Sequence, residues 1–102
     1  QGIYLIENQK TGKIYIGSSA ALDHRRRYHF SLYKERPLNG QNHQLFFDMK
    51  AQGKNDFIFY IIEELPTLAI HELETVEAQY IQYALQNSYK LYNRKLYKKR
   101  VP

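Results

Sequence analysis

The chain has 102 residues, enough for one domain with a single modest core. It carries 15 Lys and Arg against 10 Asp and Glu, so its net charge at pH 7 is +5, and it contains no cysteine. Disulfides and thiolate metal sites are therefore excluded. No apolar run approaches the roughly 18 residues of a transmembrane helix, so no membrane contact is expected. The lack of cysteine fits a cytoplasmic protein. The sequence begins with Gln1, so we expect either a processed protein or a piece of a longer one.

The first 19 residues predict a β-hairpin that carries two tyrosines. Residues 2–7 and 13–17 are rich in β-branched and aromatic residues, and the stretch 8–12 has the Asn and Gly that turns need. Directly opposed residues of a hairpin share a face, so an even loop places Tyr4 and Tyr15 on the same side. A bulge would shift that register. The two tyrosines are either ordinary strand residues or phenols presented together for chemistry.

Two helices and a strand are predicted next. Residues 22–33 suit a helix whose N-terminus is capped from Ser18–Ser19, and residues 45–49 suit a second, shorter helix. The continuous apolar run 57–62 has the length and composition of a buried strand.

A long helix and a basic tail complete the chain. Residues 67–86 form the longest predicted helix, with apolar residues at the three- and four-residue steps of a buried face: Leu73, Val76, Tyr80, Ile81 and Ala84. Residues 91–93 suit a short extended segment, and residues 94–102 are strongly basic. The order β-β-α-α-β-α predicts an α+β fold, a small antiparallel sheet flanked by helices, in one domain over residues 1–102.

Three polar residues are candidates for a functional role. Glu77 interrupts the apolar stripe of the long helix, and a lone buried carboxylate is costly unless it is paired, protonated or bound to a metal. Alternatively, it lies at the edge of the stripe and pairs with an arginine. Arg25 and His29 are four residues apart and face the same way on one helix, so both can meet one phosphate. Alternatively, they belong to an exposed basic face with Arg26 and Arg27.

In chain order, these residues resemble the motifs of the GIY-YIG nuclease family. The matching set is Gly2-Ile3-Tyr4, the KIYIG of residues 13–17, Arg25, His29, Glu77, and Asn93 at the end of Leu91-Tyr92-Asn93. The resemblance spans nearly the whole chain and is closest to the phage and intron homing-endonuclease type. It implies a three-stranded antiparallel sheet with flanking helices, and hydrolysis of DNA phosphodiesters with one divalent ion, Mg²⁺ or Mn²⁺. It also implies a bacterial or phage-infected cell as the setting.

The resemblance implies catalytic roles for five of these residues. Glu77 would be the metal ligand, and Arg25 would clamp phosphate oxygens with its planar fork. Tyr4 would be the general base or would position the attacking water, which Tyr15 would hold in line. His29 would share the base role or donate to phosphate. A base role for Tyr4 requires a lowered pKa, because a free phenol has a pKa of about 10.

Supporting roles are expected of further residues. Asn93, the sixth residue of the implied catalytic set, would brace the site by hydrogen bonds, and Lys13 would tune the tyrosines without contacting the substrate. The candidates for binding the DNA backbone are Arg26, Arg27, Arg94 and Lys95. Homing-type relatives place sequence recognition in a separate module, so we expect such a module outside this chain. The alternatives are a DNA-binding module of this fold without catalysis, a repair or restriction nuclease of this fold, and a protein-interaction domain.

Overall fold

The computed structural model describes residues 1–32 and 43–93, and it confirms the α+β fold with a three-stranded antiparallel sheet. Its elements are β1 (Gly2–Asn8), β2 (Ile14–Ser19), α1 (Leu22–Leu32), α2 (His43–Gln52), a short 3-10 helix (Lys54–Asp56), β3 (Phe57–Glu64) and α3 (Ile70–Gln86). None of the helices in these described ranges has the length and apolar character needed to span a bilayer. Arg94 and Lys95, with the rest of the basic tail, lie outside the described residues.

The central strand of the sheet is β1, with β2 on one side and β3 on the other. In the hairpin, Tyr4 pairs with Gly17 and Ile6 pairs with Tyr15. Because side chains alternate between the two faces of a strand, this register places Tyr4 and Tyr15 on the same face, as the hairpin pattern predicted.

The prediction that residues 57–62 form a buried strand is wrong in one respect. The strand is present, but only Phe57 is buried, while Ile58, Tyr60 and Ile61 are exposed. The reason is topological: β3 pairs with β1 alone and forms an edge of the sheet. Helix α3 packs mainly over β2 and β1, so much of the apolar surface of β3 stays uncovered.

Hydrophobic clusters cover both faces of the sheet. The face that packs against α1 and α2 contributes Tyr4, Ile6, Tyr15 and Phe57. The face that packs against α3 contributes Ile3, Ile14 and Ile16, which meet Ile81 and Ala84 of the helix. Where α3 leaves the sheet partly uncovered, a groove of about 420 Å³ remains. Its walls include Leu5, Glu7, Ile16, Tyr60, Tyr83 and Tyr89.

The start of α3 differs from the prediction by three residues. The helix begins at Ile70 rather than residue 67, because residues 65–68 form a turn in which the N–H of Leu68 donates to the carbonyl of Leu65. The carboxylate of Glu72 then accepts a hydrogen bond from the backbone N–H of Ala69 at 2.8 Å. This contact satisfies one of the donors left open at a helix N-terminus.

The segment of residues 90–93 lies parallel to β2 along its outer edge. The N–H of Ile14 donates to the carbonyl of Lys90 at 2.9 Å, and the N–H of Tyr92 donates to the carbonyl of Ile14 at 2.7 Å. The extended conformation predicted for residues 91–93 is therefore present. This pairing brings Asn93 beside the middle of β2.

Candidate active site

Both glycines of the hairpin motifs permit close contacts that position the site. A Cβ atom on Gly17 would lie 2.5 Å from the hydroxyl and from Cζ of Tyr4, so only glycine lets that ring pack against β2. A Cβ atom on Gly2 would collide with the carbonyl oxygen of Glu63 on β3. This second contact lies next to the register shift between β1 and β3, which falls at Ile3 and Tyr4.

An aromatic cluster fixes the two phenols. The imidazole of His29, on α1, is completely buried, and its Nε2 lies 3.1 Å from the Tyr4 hydroxyl. The ring of Tyr15 lies 5.8 Å from the imidazole and 6.1 Å from the ring of Tyr4, between centroids. Phe59 stacks on the other side of Tyr4 at 4.9 Å. Neither phenol can therefore change position without repacking the core.

Burial keeps both phenols protonated at neutral pH. It raises the pKa of Tyr4 well above its ordinary value, and the neighbouring Tyr15 adds to this rise. Burial, followed by the negative charge of Glu77, raises the pKa of Tyr15 to about 12. The charge of Arg25 opposes both shifts without reversing them. In this environment the tyrosines are hydrogen-bond donors.

Arg25 lies one helical turn before His29 and is partly buried. Its guanidinium carbon is 5.2 Å from the centroid of the Tyr28 ring. Its Nε is buried, and among residues 1–32 and 43–93 this atom has no hydrogen-bond acceptor. A buried N–H without an acceptor is costly, and such a cationic donor is suited to the oxygen of an incoming phosphate.

Glu77 approaches the same cluster from α3. It is half-buried at the edge of the apolar stripe, and its Oε1 accepts a hydrogen bond from the Ser18 hydroxyl at 2.6 Å. Its negative charge contributes to the raised pKa of both Tyr4 and Tyr15, as expected of a carboxylate close to them. Two elements, α1 and α3, thus direct a cation and a carboxylate to the same end of the sheet.

Sequence reasoning missed the contact made by Ser18. The Ser pair was expected to cap α1, but the Ser19 hydroxyl accepts a hydrogen bond at 3.0 Å from the N–H of Ala21, the residue just before the helix. Ser18 lies on the other face of β2 and turns toward α3 instead. The alternation of side chains along β2 was the signal available in the sequence, since Ser18 is in phase with Ile14 and Ile16.

Asn93 holds β2 by a two-point contact. Its Oδ1 accepts from the N–H of Ile16 at 3.0 Å, and its Nδ2 donates to the carbonyl of the same residue at 2.8 Å. Ile16 lies between Tyr15 and Gly17, so the amide fixes the backbone that carries the second phenol. Asn93 is buried, and both of these bonds are to the backbone of β2.

Three of the remaining predicted residues are basic. The ammonium group of Lys13 lies 4.9 Å from the centroid of the Tyr92 ring, at the opposite end of β2 from Gly17. Arg26 and Arg27 are exposed on α1. The structure therefore brings together Tyr4, Tyr15, Arg25, His29 and Glu77, and leaves these three basic residues at the periphery.

A second set of polar contacts, also missed from the sequence, secures the segment that carries Asn93. The buried Asn8 donates from Nδ2 to the Tyr92 hydroxyl at 3.0 Å, and that hydroxyl donates to Oδ2 of Asp48 at 2.6 Å. Burial raises the pKa of Tyr92 well above its ordinary value. These contacts tie the end of β1 and helix α2 to residues 90–93.

The sequence and fold of this chain are similar to those of known proteins. Residues 1–93 match the family described as the GIY-YIG catalytic domain. The solved catalytic domain of the homing endonuclease I-TevI is similar to this chain, with a TM-score of 0.71 and 24% identity over 87% of this chain and 92% of that one. A glutamate-to-alanine variant of the catalytic domain of the intron endonuclease I-TevI gives a TM-score of 0.68 and 25% identity over 87% and 90% of the two chains. No curated protein gives a significant match. The family resemblance of the motifs is thus confirmed, and the chain belongs to the GIY-YIG nuclease family.

Proposed function

We propose that this domain is a Mg²⁺-dependent DNA endonuclease that hydrolyses phosphodiester bonds, as expected of a homing-type member of its family. The observation that carries the proposal is the convergence of two neutral phenols, a buried imidazole, a guanidinium and a carboxylate at one end of the sheet. Hydrolysis of a phosphodiester needs hydrogen-bond donors for the phosphate oxygens, a cation for the phosphate charge, and an acceptor for the proton of the attacking water.

The residues present fit a single Mg²⁺ ion. Within the described ranges, no three His, Cys, Asp or Glu side chains are grouped so that they could hold a metal. Zinc sites need such a group, whereas Mg²⁺ keeps several waters and is commonly held by one or two carboxylates with the substrate phosphate. Glu77 would be the protein ligand, oriented by the Ser18 hydroxyl. The bound ion would stabilise negative charge on the phosphate and on the departing 3′ oxygen.

Water activation would use Tyr4 and His29 as one unit. A neutral Tyr4 cannot remove a proton by itself, because burial raises its pKa. Its hydroxyl is, however, within hydrogen-bond distance of Nε2 of His29. As the water oxygen bonds to phosphorus, the water proton passes to the Tyr4 oxygen and the Tyr4 proton passes to Nε2. The phenol stays neutral, and the imidazole becomes the final acceptor.

Arg25 and Tyr15 would bind the phosphate from two sides. The guanidinium offers a planar fork to the non-bridging oxygens, where charge grows as the fifth bond to phosphorus forms. Tyr15 stays protonated and can donate, because burial raises its pKa to about 12. The bond from phosphorus to the 3′ oxygen then breaks, and that oxygen takes a proton from solvent.

The test is a supercoiled-plasmid assay of the wild-type domain, Glu77→Ala and the control Glu7→Ala, each with Mg²⁺ or with EDTA. Glu7 is a carboxylate at the end of β1 remote from Ser18, in the wall of the groove of about 420 Å³. We expect nicking or linearisation by the wild type and by Glu7→Ala in Mg²⁺ alone. Glu77→Ala should be at least about 10³-fold slower, yet should still retard DNA in a gel.

A second pair of variants tests the phosphate clamp. Arg25→Ala should lower the single-turnover rate by about 10²-fold or more, and Arg25→Lys should restore only part of it, because an ammonium lacks the planar fork. In the plasmid assay, undiminished cleavage by Glu77→Ala at equal purity would refute the metal site. Retardation of DNA without any cleavage by the wild type would favour a binding module, and no retardation would favour an interaction domain.

A further inference from the structure

A cavity of about 290 Å³ lies beside the proposed catalytic site, between the β2–α1 turn and the start of α3. Its walls include Ser18, Ser19, Arg25, Ile70, Leu73 and Glu74. It shares Arg25 with the proposed phosphate clamp, and its Ser18 donates a hydrogen bond to Glu77. The cavity therefore adjoins the position proposed for the phosphate that is cut.

Along the axis of α3, the cavity lies about as far from Glu77 as one nucleotide lies from the next. Glu74 precedes Glu77 by three residues and Ile70 precedes it by seven. At about 1.5 Å of rise per residue, these side chains start roughly 4.5 to 10.5 Å from the metal ligand along the helix axis. A DNA strand whose phosphate meets Arg25 and Glu77 would thus place an adjacent nucleoside against this part of the helix.

The walls of the cavity combine three kinds of group that one nucleotide can use. Arg25 and the Ser19 hydroxyl supply donors for phosphate oxygens, while the Ser18 hydroxyl donates to Glu77. Ile70, which is 55% exposed, supplies an apolar wall for a sugar or the face of a base, whereas Leu73 is buried. Glu74 supplies a carboxylate, which accepts hydrogen bonds and repels phosphate. The carboxylate is therefore suited to the edge of a base that carries an amino group.

We propose that this cavity binds the nucleotide next to the cleaved phosphate, with Glu74 accepting a hydrogen bond from the exocyclic amino group of cytosine or adenine. Acidic side chains accept from the N4 amino group of cytosine in this way. Thymine presents a carbonyl oxygen at the equivalent position, which the carboxylate repels. Glu74 is then a specificity-determining residue. This inference rests on the proposed DNA-cleaving function and adds a base preference to it.

The test is an NMR titration of the domain with the monophosphates of deoxycytidine and thymidine, without Mg²⁺. The wild type should show shift changes at the backbone amides of Ser18, Ser19 and residues 70–74. It should bind the cytidine nucleotide at least about threefold more tightly than the thymidine nucleotide, which is the lower end of the net effect of one hydrogen bond. Glu74→Ala should remove this difference, and the control Glu7→Ala should retain it.

Equal affinity of the wild type for the two nucleotides, or shift changes confined to other surfaces, would overturn the inference. A persisting preference in Glu74→Ala would overturn the role of that carboxylate. The spectrum of each variant shows directly whether it is folded. Because binding is measured without cleavage, a domain that selects cytidine but cuts no plasmid supports the nucleotide site and counts against the proposed nuclease activity alone.

Discussion

The hydroxyl of Tyr4 lies 3.1 Å from Nε2 of His29, and both side chains are almost completely buried. Neither group faces bulk water, so a proton that leaves one of them passes most directly to the other. This relationship links the hairpin to α1. It also allows a phenol with a raised pKa to take part in proton transfer without ever becoming a free phenolate.

The first prediction concerns this pair as a unit. Tyr4→Phe and His29→Gln should each lower the single-turnover cleavage rate by about 10²- to 10⁴-fold, the usual contribution of general acid–base catalysis. The double variant should be no slower than the slower single variant, because either change breaks the same transfer. Affinity for DNA, measured by gel retardation, should change little. Effects that multiply in the double variant would show that the residues act separately.

The second prediction concerns Gly17. In Gly17→Ala, the new methyl group would lie 2.5 Å from the Tyr4 ring, so the ring has to move. Overpacking of this kind costs about 1 to 3 kcal/mol of folding free energy. Cleavage should fall at least about tenfold beyond any loss of folded protein, because misplacement of a reacting group by about 1 Å is costly. Thermal melting and single-turnover rates measure the two effects. An active, equally stable variant would contradict the packing described.

The third prediction concerns Asn93. Asn93→Ala leaves the N–H and carbonyl of Ile16 without their partner and should lower the free energy of unfolding by about 1 to 3 kcal/mol. Asn93→Asp keeps the acceptor but places a charge against the Ile16 carbonyl, so it should be at least as unstable. Urea denaturation measures both, and cleavage should fall with them because β2 carries Tyr15. Wild-type stability in both variants would rule out the bracing role.

The fourth prediction concerns alkaline pH. The folded-state pKa values of Tyr4, Tyr15 and Tyr92 lie above the value of about 10 for an unfolded phenol, and that of Tyr15 is about 12. Their contribution to stability is therefore complete below pH of about 10 and is lost as the pH rises toward the folded-state values. Each such tyrosine should add up to about 1.4 kcal/mol of destabilisation per pH unit.

Two measurements check this alkaline effect. Phenolate absorbance should show that only part of the ten tyrosines ionise before the protein unfolds. Urea denaturation at increasing pH should show a falling free energy of unfolding from pH of about 10 upward. Ionisation of all tyrosines in a single step near their ordinary pKa, with unchanged stability, would mean that the three phenols are more accessible than the structure indicates.

Local sequence patterns were enough to predict much of the fold. The alternation and turn residues of the hairpin were enough to place Tyr4 and Tyr15 on one face, and the interrupted stripe of α3 marked Glu77. The exposure of β3 could not be predicted from the sequence, because an apolar run looks the same in a central strand and in an edge strand. Which strand lies at the edge depends on how distant segments pair, and no short window contains that information.

The contacts that complete the site could not be predicted from local sequence patterns either. Ser18 looked like a helix cap until the position of α3 gave its hydroxyl a carboxylate partner. Asn8 and Tyr92 are 84 residues apart, and Tyr92 and Asp48 are 44 apart, so no spacing rule connects them. The contact of the Lys13 ammonium with the Tyr92 ring joins two residues 79 positions apart and had no local signal either.

The pairing of residues 90–93 with β2 also affects the order in which the protein becomes functional during synthesis. Chains fold from the N-terminus as they leave the ribosome, and the hairpin, α1 and Glu77 all emerge before Asn93. Until then, the outer edge of β2 has open backbone groups at Ile14 and Ile16, which can pair with another chain. The last contact to form spans 77 residues. A nascent chain therefore holds every proposed catalytic side chain before it holds the brace that orders them, so cutting activity should arise only with the finished domain.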